Sequence, residues 1–159
     1  MTADAQAADL PVGRLRRVLL LLVVLSIVGL LVELVLLEHY EEPWQWAPLV
    51  LLVVALAPTT MLLMHPSRGA VGAFRATMLL CLAAGALGVL LHYKGNVEFE
   101  LERDSSLSGL ALIWEALRGA TPSLAPAAMA QLGLLGLAIT WRHPAARRPT
   151  TTLTHEELP

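Results

Sequence analysis

A single cysteine, Cys81, stands in the 159 residues, so no internal disulfide can brace this fold. Charge is nearly as scarce: 15% of residues are Asp, Glu, Lys or Arg, against 56% hydrophobic. With a mean hydropathy of +0.64, the chain is too apolar for an ordinary soluble domain. A basic excess is missing too. The net charge of −2 leaves no electrostatic footprint for nucleic acid. P-loop, G-x-S-x-G, H-E-x-x-H, C-x-x-C and dinucleotide fingerprints are all absent, which removes the common signatures of nucleotide, acyl-transfer, zinc and dithiol chemistry. No residue stands out as catalytic, and a non-enzymatic protein is expected.

The apolar residues gather in four runs, at about 15–37, 46–64, 74–91 and 124–141. Each approaches the roughly 20 residues a helix needs to cross the hydrocarbon core. An all-α membrane protein with four transmembrane helices is therefore expected, in which the lipid bilayer is the main partner. Residues 1–13 and 145–159 read as flexible tails around a membrane domain at 14–144. Arg14, Arg16 and Arg17 precede a first run too long for a signal-peptide core, with no small-residue cleavage site after it, so an uncleaved anchor is expected. Cys81 falls inside the third run and reads as a small packing residue.

The charges sort by side. Segments 1–17, 65–75 and 142–159 hold eight bases and four acids, whereas 38–45 and 92–123 hold three bases and eight acids. Lys and Arg collect on the cytoplasmic face of short loops. Both termini are thus expected inside and the loop 92–123 outside. In that loop, "VEFELE" alternates Val97, Phe99 and Leu101 with Glu98, Glu100 and Glu102, the period of a strand. Next, "LSGLALIWEALRG" places Leu107, Leu110, Trp114 and Leu117 on one helical stripe, with Ser105 or Ser106 as N-cap and Gly119 at C′. This amphipathic helix is expected to lie at the headgroup boundary or to cap the bundle. Tyr40, Trp44, Trp46 and Tyr93 suggest an aromatic belt at the same level.

Short echoes hint at a duplication. "LLEHY" (36–40) is matched by "LLHY" (90–93), and Pro48 to His65 spans seventeen positions, as does Pro126 to His143. The arrangement implied is two duplicated hairpins of like orientation. On the third run, Gly72, Ala76, Ala84 and Gly88 mark a candidate close-packing face.

Four histidines lie at helix ends: His39 and His92 at one level, His65 and His143 at the other. Two pairs at two depths is the pattern of a haem b or metal-binding redox protein. Capping of helix C-termini accounts for the same positions. Glu33 is the only acid within a span and Gln131 lies at a comparable depth, so the pair reads as a register-fixing contact or as part of a transporter subunit. Glu98, Glu100 and Glu102 are spaced about 6.6 to 7 Å apart on a strand, too far for one tight metal site. With Asp104, Glu38, Glu41 or Glu42 they could hold Ca²⁺ loosely; otherwise they form a solvated edge open to a partner strand.

Through "HYKGNVEFELE", "GATPSLAPAAM" and "LGLLGLA…HP" the chain resembles an uncharacterised family of small four-span bacterial inner-membrane proteins, from Arg14 to Pro144. The resemblance implies a multi-pass inner-membrane address and brings no activity, cofactor or site residue. The expectation is an accessory or scaffold subunit that presents loop 92–123 to a periplasmic or membrane protein, with Glu98, Glu100, Glu102 and Trp114 facing that partner.

Overall fold

Long runs of Leu, Val and Ala can close nearly every backbone hydrogen bond within one helix, the form a bilayer demands, and the helix at Trp46–Met64 does so around an interior proline, Pro58. The structure, a computed structural model, describes the backbone of residues 3–146 and the side chains of 12–146. Among those residues, the regular elements are all helical: α1 Ala3–Leu36, α2 Trp46–Met64, α3 Arg68–Arg103, α4 Gly109–Leu117 and α5 Ala127–Ile139. Short 3-10 turns at Pro43–Gln45 and Pro144–Ala146 flank α2 and α5.

The helix ends follow local chemistry. Glu38, at φ 52°, stops α1 in the left-handed region, and His39 N–H donates to Leu34 O at 2.9 Å. That bond, with Glu38 N–H to Val35 O, makes a C-terminal motif in which glycine is usual. Ser67 starts α3 by accepting the Ala70 N–H at 3.1 Å. α4 starts at Ser108 rather than at Ser105 or Ser106, because Ser106 is taken by Asp104: its N–H and hydroxyl both donate to Oδ1.

The strand expected at 97–102 is instead the last part of α3. Nothing between Arg68 and Arg103 breaks the helix, and Leu, Glu and Arg are good helix formers. Two ion pairs add support at helical spacing: Lys94 with Glu98 at 3.6 Å and Arg103 with Glu100 at 2.6 Å. The period-two alternation is therefore incidental. The buried side chains are Asn96 and Glu100, four residues apart, while Phe99 and Leu101 are exposed.

Helices α1, α2, α3 and α5 pack in a closed ring, each against its neighbours in that order, with α4 laid on α3 alone. Their core holds Val23, Ile27, Leu52, Leu62, Phe74, Met78, Cys81 and Leu132. Outside the ring the surface is apolar; Leu25 is 66% exposed and Leu80 57%. Three helices, α1 from Val12, α2 with its leading turn, and α3, are long and apolar enough to cross a membrane. With 13 residues, α5 spans about 20 Å at 1.5 Å per residue. The helix lengths do not repeat: α2 has 19 residues against 13 in α5.

Helices α3 and α5 touch backbone to backbone. A Cβ on Gly133 would fall 2.5 Å from Met78 O, and one on Gly85 would fall 2.8 Å from Pro126 O. Gly88 meets Pro126 and Gly136 meets Met78 and Phe74. The close-packing face thus runs through Gly85 and Gly88, not through Gly72 and Ala76, which are exposed. Arginines tie the other end. Arg16 Nη2 donates to Trp141 O at 3.4 Å, and Arg75 donates to the hydroxyl and carbonyl oxygens of Thr140. α5 therefore ends beside the first turns of the α1 and α3 apolar segments. We call this the arginine end, and the opposite one the loop end.

Candidate functional site

At the loop end α3 continues past His92 by eleven residues, about 16 Å of helix. On this extension Asn96 is 2% exposed and serves as the hub of the connection between α4 and α5. Its amide nitrogen lies 2.9 Å from Ala116 O, 2.7 Å from Thr121 O and 2.9 Å from Ser123 Oγ. Two protons are shared among three acceptors. Its carbonyl oxygen accepts from Thr121 N–H at 3.1 Å and from the Thr121 hydroxyl at 2.6 Å. Ser123 Oγ in turn donates to Ala116 O at 3.0 Å. Gly119 lies flat against the Asn96 side chain, where a Cβ would come within 2.6 Å of Cγ. One asparagine thus fastens α4, the turn after it and the approach to α5 onto α3.

One turn on, Glu100 shares this face and is buried. Arg103 neutralises it at close range, but the pair is not aligned as a hydrogen bond, and Oε2 has no hydrogen-bond partner. Glu100 is thereby removed from any partner-facing row. Only Glu98 and Glu102 face outward, so the expected acidic edge of three is not formed, and with it goes the loose Ca²⁺ reading. Among the described residues no three His, Cys, Asp or Glu side chains gather as metal ligands. Asp104 is held below the usual carboxylate range by the Ser106 hydroxyl and then by its backbone N–H.

The cap helix hides little of its apolar face. Of its side chains only Ala116 is buried, while Leu110 is 85% exposed and Trp114 60%. Arg118 stacks over the Trp114 ring at 5.9 Å.

Of the four histidines the structure unites one pair. His39 and His92 rings lie 6.3 Å apart, tilted by 47°. Pro122 O can only accept, so the 3.3 Å contact from His92 Nδ1 places a proton on Nδ1 and leaves Nε2 with its lone pair. Burial, and then the charge of His92, hold the His39 pKa below its ordinary value. The other pair does not form. His65 is exposed behind α2, and His143 is buried behind α5, its Nδ1 accepting the Ala145 N–H at 3.2 Å. Burial, and then the charges of Arg16 and Arg75, lower the His143 pKa.

Glu33 and Gln131 are exposed side chains on the outside of the ring. Gln131 lines a groove between α1 and α5 with Ser26 and Leu30, and Glu33 lies one turn beyond Leu30 on the same face of α1. Neither points into a path through the bundle. Sequence reading missed Asn96, although it is the chain's only asparagine. Helical spacing to Glu100 was the available clue. No family model, curated protein or solved structure matches this chain, so its function is read from its own chemistry.

Proposed function

We propose that the chain is a four-span bacterial inner-membrane protein with both termini in the cytoplasm, a non-enzymatic accessory subunit that displays its loop end to a periplasmic or membrane protein. One observation carries this reading: the cap is fastened by a buried polar hub while the apolar face of α4 stays uncovered. A loose loop needs no such hub. A rigid extension with exposed Leu110, Ile113 and Trp114 offers the aromatic and aliphatic anchors typical of binding surfaces. Because α5 ends at the arginine end, it counts as the fourth crossing, completed by its flanking turns. A photo-crosslinking amino acid at Leu110 in the full chain tests the reading. Capture of one defined protein in native membranes is the expected result; capture of lipid alone would defeat it.

A second reading rests on the His39–His92 pair. His92 is oriented as metal-binding imidazoles are, with Nδ1 toward a backbone carbonyl and Nε2 free. Such a pair suits a borderline transition metal completed by water or a partner's ligand, or a haem b held between the two rings. Titration of the purified protein with Zn²⁺ and haem, compared with a His39→Ala, His92→Ala variant, decides it. Equal uptake by both proteins removes this reading.

A further inference from the structure

Inside the apolar stretches two polar side chains find no partner within the described chain. Glu33 on α1 and Gln131 on α5 both face outward within about one turn of the loop-end limits of their helices, where a polar side chain on an apolar face gains from a partner. They flank one feature, a groove of about 310 Å³ lined by Ser26, Leu30, Ala128, Gln131, Leu132 and Leu135. Ser26 is already satisfied, donating to Leu22 O at 2.8 Å. On α1, Ser26, Leu30 and Glu33 follow the i, i+4, i+7 spacing of one helix face. Gly29 borders this face, with nothing within 4 Å of the place its Cβ would take. The face is open, and small enough there for another helix to approach closely.

We propose that the α1–α5 groove is the contact surface between two copies of this chain, related by a two-fold axis along the membrane normal. The polar groups select that occupant. A lipid acyl chain fills volume but offers nothing to an amide with two donors and an acceptor. A second copy in the same orientation brings its own Glu33 and Gln131 to the same depth. Glu33 stands about 4.5 Å along the axis from Leu30, which lines the groove opposite Gln131, so the two groups are within one turn of each other in height. Across a two-fold axis, the Gln131 amide of one copy donates to the Glu33 carboxyl of the other, and symmetry repeats the bond. Two symmetry-related bonds therefore give each of the four side chains a partner. A self-complementary patch is what a two-fold interface requires. The contact lies within the membrane and is independent of the cap.

Disulfide trapping in native membranes tests it, using the full chain with Cys81→Ala. Ala128→Cys, in the groove, is expected to form a self-dimer on mild oxidation, and Val54→Cys, exposed on α2, is expected not to. Differently tagged copies establish that the adduct is chain with chain. Gln131→Leu combined with Glu33→Leu should cut trapping roughly tenfold, given the modest strength of single interhelical hydrogen bonds. Neither side chain has a partner among the described residues, so the bundle should fold unchanged, which the thermal midpoint checks. The proposal fails if Ala128→Cys traps no better than Val54→Cys, or if the adduct contains a different polypeptide. It fails equally if the double leucine variant traps as well as the parent.

Discussion

Asn96 shows how much can depend on one short side chain. Asn96→Ala takes their Asn96 partner from the Thr121 hydroxyl, N–H and carbonyl and from the Ser123 hydroxyl, while Ala116 O keeps its bond from Ser123 Oγ, and it empties the buried space the amide fills. An unsatisfied buried group costs about 1 to 3 kcal/mol. Hydrogen exchange should therefore quicken across residues 104–126 while the ring helices keep their protection. Asn96→Asp should be worse than alanine, because it turns a carboxylate toward the carbonyls of Ala116 and Thr121, which can only accept. Uniform exchange across both regions would mean that the cap has some other anchor. His143 offers a pH test. Its pKa is lower in the folded protein than the ordinary value of about 6.5, so the unfolded chain binds the proton more readily. The stability this gives is complete above about pH 6.5 and is lost as pH falls towards the lowered folded value. The charged groups facing it are Arg16 from α1 and Arg75 from α3, both permanently positive. His39 acts in the same direction, and Asp104 titrates well below this window. Between pH 7.5 and 5.5 in detergent, the thermal midpoint of the wild type should fall further than that of His143→Gln; equal falls would show that His143 is not responsible.

Elements were legible where composition alone decides them. Leu-rich runs announce α1 and α2 because burial in lipid needs only apolar side chains over enough length. The end of α3 was misread because "VEFELE" satisfies two periods at once, and alternation does not reveal that a hydrogen-bonded helix already runs into it. Glu100 was then placed on the wet side, when helical geometry puts it with Asn96 on the buried one. The glycine face was misplaced for a related reason. Spacing of four selects Gly72, Ala76, Ala84 and Gly88, but which small residues meet another helix depends on the rotation of α3 against α5. That rotation makes a prediction. Gly133→Ala puts a methyl group into the Met78 carbonyl and the Leu82 N–H, at 2.5 and 2.7 Å. Overpacking of this kind costs about 1 to 3 kcal/mol. Gly72→Ala meets nothing within 4 Å and should gain about 0.5 to 1 kcal/mol from the stiffer helix. The two variants should thus shift the thermal midpoint in opposite directions. A Gly133→Ala protein as stable as wild type would mean that α3 and α5 do not pack this closely.

For the whole molecule the decisive question is how often the chain crosses the bilayer, since three spans put the two ends of the chain on opposite sides and four put them together. Hydropathy favours three, because α5 is short. Geometry favours four. Arg16 from α1 and Arg75 from α3 both reach the residues that end α5, so its last turn lies at the same end as the start of the α1 and α3 apolar segments. Charge agrees: Arg14, Arg16, Arg17, Arg68, Arg75 and Arg142 lie at that end, the bias that the proposed orientation, with this end in the cytoplasm, rests on. Helices α1, α2 and α3 are joined by short connections, so His65 sits at the arginine end and Ser108 at the loop end. Single cysteines at His65, Ser108 and Pro144, all exposed, separate the cases. Native Cys81 is fully buried and should stay silent. A membrane-impermeant maleimide applied to intact cells should label Ser108→Cys and leave His65→Cys and Pro144→Cys untouched until the cells are opened. Labelling of Pro144→Cys together with Ser108→Cys would reduce α5 to a helix that dips and returns, and the chain to three crossings. Labelling of His65→Cys and Pro144→Cys without Ser108→Cys would keep four crossings and invert them, which would place the fastened cap in the cytoplasm.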